Sequence, residues 1–282
     1  MSLLRKYLTG KNTSKRAKTV YVRGLGGLGN CLFQIAAAIY YCEKYNYNLV
    51  LIYSDSLLFG TSNLFGKTKC YRIGTMFVTY DKTIFSKLSF SQSITESYDT
   101  IHNDYTSNRI TPSNNLLISG YNQNLGLFDT VRNKITQYFN INDPAINKYI
   151  AGKYGNVSEG TIICIRRGKD FETVKYPTND SYLKALDYLR KSNKITGKIY
   201  ILSDIPINDQ FGTECTIVDE CDIVQLQFGV SCKNYILSES TFHLWMAYFG
   251  TDFGKKQEKT VICYNNSGIA SLCLENWIRL DF

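Results

Sequence analysis

Proline is scarce in this sequence, with 4 in 282 residues, and there are only 2 histidines and 2 tryptophans. So little proline beside 44% hydrophobic and 20% charged residues excludes extended disorder away from the ends and fits an ordinary globular protein. No stretch approaches the roughly 20 apolar residues of a membrane-crossing helix. The first residues lack the apolar core of a secretory signal, which argues against export. Nine cysteines are present, and none forms a Cys-x-x-Cys pair. With only His102 and His243 to assist, this scatter argues against zinc and for reduced core thiols in a soluble, cytoplasmic protein. No Asp-x-Asp triplet of the metal-holding kind occurs, and no repeat of solenoid period is visible.

Acidic residues are also missing from one place. The first 18 residues hold Arg5, Lys6, Lys11, Lys15, Arg16 and Lys18 with no acid, and without these six the net charge of +8 falls to +2. A nearly neutral body does not support general nucleic-acid binding. The basic leader reads as a solubilising tail or as a loose contact with an anionic membrane surface.

Two strand-to-glycine turns stand out among the residues that are present. Thr19-Val20-Tyr21-Val22 has strand character and runs into Gly24-Leu25-Gly26-Gly27-Leu28-Gly29-Asn30. A helical pattern through Cys31, Ile35, Ala38, Ile39 and Cys42 follows, then a strand at 49–53, which makes a βαβ unit. Ile162-Ile163-Cys164-Ile165 ends in Arg166-Arg167-Gly168 and opens a half in which strands at 161–165, 198–202, 216–218, 235–237 and 260–263 alternate with helical patterns near 181–191, 221–230 and 241–249. Alternation of this kind predicts parallel sheets covered on both faces. Between the two, 55–110 reads as short strands and loops, 115–121 as a strand, and 125–139 as one helix. The mixed Asn, Asp, Pro, Gly and Ser of 140–159 reads as a domain boundary. The expected organisation is a basic leader at 1–18, a Rossmann-like domain at 19–155 and a second at 156–282.

Each turn carries a chemical reading and a structural one. Gly24-x-Gly26-x-x-Gly29 has the spacing of a dinucleotide fingerprint, with Asp55 as a possible ribose acid, yet tight turns alone also require glycine. Asn30 offers a donor and an acceptor suited to sugar hydroxyls. Arg166 and Arg167 at a strand end suit a diphosphate. Ser203-Asp204 and Ser240-Thr241 close further strands at the same expected edge, either as ligand contacts or as helix caps.

Taken in order, Gly26 to Gln34, Gly120-Tyr121-Asn122-Gln123, Ile163 to Gly168, Leu202-Ser203-Asp204 and Ser240-Thr241-Phe242 resemble the α-1,2-fucosyltransferase family from about Val20 to the end. Cys232-Lys233-Asn234 and Glu275-Asn276-Trp277 fit the same pattern. The resemblance implies a GT-B glycosyltransferase, α/β in class, with two Rossmann-like domains whose parallel sheets face a central cleft. It implies inverting transfer of L-fucose from GDP-fucose to a glycan hydroxyl without a metal or resident cofactor. Donor contacts are implied at Gly27, Gly29, Cys164, Arg166, Arg167, Ser203, Asp204, Ser240, Thr241 and Phe242, and catalytic roles at Arg166 and Asn30. Asp170 and Glu172 are the nearest candidates for a general base. Cys164 stands where the family has histidine, Lys169 where it has aspartate, Cys31 where it has glutamine, and His243 where it has serine. A UDP-sugar donor, an inactive glycan-binding protein and a nicotinamide-dependent oxidoreductase are the alternatives.

Overall fold

A computed structural model describes residues 17–53, 80–102, 114–168, 176–207, 211–212, 214–253 and 258–281. Two sheets organise them, and every strand pairing is parallel. The first contains β1 (Thr19–Arg23), β2 (Asn48–Ile52), β3 (Ser89–Ser91), β4 (Tyr98–His102) and β5 (Asn115–Ser119), in the order β3-β2-β1-β5-β4. The second contains β6 (Thr161–Ile165), β7 (Ile199–Ser203), β8 (Cys215–Ile217), β9 (Asn234–Ile236), β10 (Thr260–Tyr264) and β11 (Ile278–Leu280), in the order β8-β7-β6-β9-β10-β11. Counted from β6, this is the strand order of dinucleotide-binding sheets, and ligands of such sheets bind beyond the strand ends where the order reverses. That reversal falls between β6 and β9 in the second sheet and between β1 and β5 in the first.

The central strands leave no face for water. β6 (TIICI) and β10 (TVICY) are buried at every position, as unbroken apolar runs must be. Covering them are α1 (Leu28–Tyr45), α2 (Leu125–Asp129), α3 (Arg132–Tyr138), α4 (Pro144–Tyr154), α5 (Asn179–Lys191), α6 (Asp222–Ser231) and α7 (Thr241–Phe253). In α1, 13 of 18 residues are buried, on all sides of the helix, which requires a layer on both flanks. The first sheet lies on one flank and α7 on the other, where the rings of Phe33 and Trp245 meet edge to face at 5.0 Å. The largest apolar cluster therefore runs without interruption from Val20 through Phe33 and Trp245 to Val261. Alternation along β6 sends Ile162 and Cys164 into that cluster, and Ile163 and Ile165 into a second one with Leu186 and Leu189 of α5.

One expectation from the sequence needs correction, and a second gains a structural element. The helix expected at 125–139 is divided into α2 and α3, because Thr130 turns its hydroxyl back onto the Leu127 carbonyl at 2.7 Å and closes α2 there. The segment read as a boundary at 140–159 contains α4. Asp143 caps it by accepting from the Ala145 N–H at 2.8 Å, and Pro144 occupies the first turn, where its missing N–H costs nothing. Gln227 of α6 fastens this start, accepting from the Asp143 N–H at 2.9 Å and donating to the Asp143 carbonyl at 2.6 Å. Asp55, Asp170, Glu172 and residues 1–16 of the leader lie outside the described residues. Among those described, no helix is long and apolar enough to cross a membrane.

Candidate functional site

The loop between β1 and α1 is held mainly by one side chain, with the Cys31 thiol reaching the Leu25 and Gly26 carbonyls at 3.9 and 3.8 Å. Gln34, fully buried, accepts from the Leu25 N–H at 3.1 Å and donates to the Leu25 carbonyl at 2.9 Å, so a single amide satisfies both backbone groups of the loop. Gly26 turns the chain at φ 77°, a conformation costly for any residue with a Cβ. Gly27 then serves as the N-cap of α1 with no side-chain cap, and no acidic residue follows in the first turn. Burial pushes the Cys31 thiol up to about 12, so it is a neutral core thiol.

Asn30 is the meeting point of three segments. Its Oδ1 accepts from Gln123 Nε2 at 3.0 Å, 93 residues away, and from Thr241 Oγ1 at 3.2 Å, 211 residues away. Gly29 explains how the two halves come so close: a Cβ there would collide with the backbone of Thr241 and Phe242. The N-termini of α1 and α7 thus touch backbone to backbone, and neither helix has an acid in its first turn. Two positive helix ends concentrated in one place attract an anion, each worth about 0.3–1 kcal/mol near a surface.

The loop after β6 is held by a carboxylate. Asp204, at the end of β7, accepts from the Arg167 N–H at 2.8 Å and the Gly168 N–H at 2.7 Å, and its Oδ2 lies 3.2 Å from Arg166 Nη1. The Arg166 side chain is 26% exposed. Arg167 turns the other way, as successive residues at a strand end do. It donates to the Pro177 carbonyl at 3.0 Å, and its guanidinium lies 5.5 Å from the Tyr176 ring and 5.7 Å from that of Tyr182.

Beyond β9, Ser238, Glu239 and Ser240 are all buried and lead into α7. Glu239 accepts from the Ile269 N–H at 3.3 Å, and burial raises its pKa. Ser238 Oγ and His243 Nδ1 are 2.7 Å apart. Burial first, and the positive charge of Arg166 second, push the His243 pKa down to about 3, so the ring is neutral at ordinary pH. Among the described residues no three His, Cys, Asp or Glu side chains gather as a metal-binding group.

These positions sort the residues expected from the sequence. Asn30, Gly29, Thr241 and Phe242 come together where α1 and α7 meet, and Arg166 with Asp204 forms the neighbouring strand-end pair. Ser203 accepts from the Ile205 N–H at 3.2 Å within its own turn, and Ser240 lies within the buried turn that starts α7. Cys164 is wholly buried and exposes no surface to a ligand, and Arg167 is committed to its own loop. Sequence reasoning assigned no role to Gln34, Gln123, Ser238 or Asp204's hold on its neighbouring loop. The signal available for Gln34 was a lone amide inside an otherwise apolar helical run.

Two all-parallel sheets facing a cleft, with strand ends and helix N-termini converging on it, define the GT-B class of fold. Among solved structures the chain is similar to POFUT1 in complex with GDP-fucose, at 10% identity over 89% of this chain and 98% of that one, with a TM-score of 0.51. It also matches NodZ alpha-1,6-fucosyltransferase co-crystallized with GDP, at 14% identity over 90% of this chain and 97% of that one, with a TM-score of 0.49. A FUT1 variant of Arabidopsis thaliana in complex with GDP matches at 14% identity over 85% and 70% of the two chains, with a TM-score of 0.45. At these identities the likeness is one of fold, and the first of the three carries it. No protein-family model and no curated protein sequence matches the chain.

Proposed function

We propose that this protein is a glycosyltransferase that moves a sugar, L-fucose from GDP-fucose, onto a hydroxyl of a glycan, in the manner of the α-1,2-fucosyltransferases. The observation that carries the reading is the convergence of two acid-free helix N-termini at Gly29 and Thr241, with the Arg166–Asp204 pair at the neighbouring strand ends. Such a place suits a diphosphate with a sugar attached. The fold shared with POFUT1, whose structure holds GDP-fucose, supports the choice of donor.

In this reading residues 156–282 bind the donor and 19–155 the acceptor. Arg166 and the start of α7 stabilise charge building on the departing diphosphate, so the chemistry needs no metal ion. Asn30, oriented by Gln123 and Thr241, contacts the reacting sugar. The acceptor hydroxyl attacks the anomeric carbon from the face opposite the diphosphate and inverts it. Asp170, two residues past Gly168, is proposed to take the hydroxyl proton. Asp204 acts by shaping the Arg166–Gly168 loop, and any contact it makes with a base comes in addition to that work.

A thermal-shift panel of GDP-, UDP- and dTDP-sugars tests the donor, because a ligand that binds only the folded state raises Tm by mass action. GDP-fucose should give the largest rise. A larger rise with a UDP-sugar would reassign the donor, and no rise with any nucleotide would overturn the transferase reading.

A further inference from the structure

Tyr121 is half exposed, at 50%, on a turn built with unusual firmness. The residues on either side of it adopt left-handed conformations, Gly120 at φ 75° and Asn122 at φ 52°. Asn122 is fully buried and donates to the Ser119 carbonyl at 2.6 Å and the Gly120 carbonyl at 2.9 Å. A non-glycine residue in that region persists only where its surroundings hold it there, and here they hold a tyrosine ring out into solvent. The adjacent strand end repeats the pattern. Leu25 is 41% exposed, although the buried Gln34 pins both of its backbone groups.

β1 and β5 are neighbouring parallel strands, so the two turns share one edge of the sheet. The Tyr121 ring lies over the glycine loop: a Cβ on Gly26 would be 3.3 Å from Tyr121 Cε1 and 2.7 Å from Asn30 Nδ2. An apolar patch on rigid backbone is therefore bordered by amides. The bond from Gln123 Nε2 to Asn30 Oδ1 leaves Gln123 Oε1 and Asn30 Nδ2, one acceptor and one donor, without a partner among the described residues. Rigid aromatic rings offer contact area at little cost in ordering. A sugar ring has the matching chemistry, with C–H groups on its faces and hydroxyls around its rim.

We propose that Tyr121 and Leu25 form a stacking platform for the pyranose ring of the acceptor glycan, with Gln123 Oε1 and Asn30 Nδ2 hydrogen bonding to its hydroxyls. This rests on the glycan-transfer reading above, and it assigns acceptor contacts to a turn that reading left idle. Saturation-transfer NMR on the full chain, with methyl β-galactopyranoside, methyl β-glucopyranoside and methyl N-acetyl-β-glucosaminide as probes, tests it. At least one probe should show saturation of its ring protons, reduced fivefold or more in Tyr121→Ala and retained in Tyr121→Phe, with Tm unchanged because the ring is largely outside the core. Equal saturation in Tyr121→Ala, or none in the unmodified protein with any of the three, overturns the proposal. GDP-dependent thermal shift on the same samples separates the two readings. Tyr121-dependent saturation without any GDP response would leave the platform standing and remove the donor assignment.

Discussion

The two strand-end loops of the site are held in place by opposite kinds of chemistry. After β1, a neutral amide, Gln34, satisfies the backbone of Leu25, and the side chains of Leu25, Asn30 and the neighbouring Tyr121 are uncharged. After β6, a carboxylate gathers two N–H groups and a guanidinium, and what the loop presents is a cation. Side-chain contacts made by the first loop should therefore depend little on salt, while the second works through a full charge and is more open to screening.

The sharpest way to break the comparison is Arg166→Ala. Losing one charged donor to a developing oxyanion costs about 3 kcal/mol, a hundredfold or more in rate. Transfer should fall by at least that factor in a steady-state assay while Tm moves little, since Asp204 keeps both of its backbone donors. Near-normal turnover would mean that the charged loop is not where the leaving group sits. Next in size is Gln34→Ala, which removes two hydrogen bonds to the Leu25 backbone at about 0.5–1.5 kcal/mol each. Chemical denaturation should register that loss, whereas the thermal response to GDP, which the proposal divides between the start of α1 and Arg166, should weaken without vanishing. Loss of the GDP response in Gln34→Ala would show that the two loops are one unit.

The smallest effect concerns His243. Its pKa is lowered to about 3 in the folded protein, so between roughly the ordinary histidine value of 6.5 and 3 the unfolded chain binds a proton that the folded one refuses. Stability from this residue is thus full above about 6.5 and lost progressively as pH falls toward 3. Comparing His243→Gln with the unmodified protein isolates it from the buried Glu239, whose raised pKa acts in the opposite sense. The stability difference between the two proteins, measured as the urea midpoint at each pH, should shift in favour of the variant as pH drops from 7 toward 4. A constant difference would place His243 in contact with water.

How much of this could be read from the sequence depends on how local each cause was. The parallel sheets were legible because Thr161–Ile165 and Thr260–Tyr264 are unbroken apolar runs, and the edge that carries the site followed from where those runs stop. α4 was hidden because Asn, Asp and Pro are turn residues by composition, and only the hydrogen bonds from Ala145 reveal Asp143 as a cap. The break at Thr130 was hidden because the 3.6-residue period continues across it in Phe128, Val131 and Ile135. Composition and spacing do not separate Arg166 from Arg167, and only the family resemblance favours Arg166. The Tyr176 and Tyr182 rings and the Pro177 carbonyl separate them, and none of these adjoins the pair in sequence. The partners of Asn30 lie 93 and 211 residues away, beyond any local pattern.

The contact at Gly29 has a mechanical consequence. With no side chain at Gly29, the backbones of α1 and α7 meet directly at the point where the proposed reacting groups sit. Any side chain at position 29 would act as a wedge, prising the two helix starts apart and parting Asn30 from Thr241.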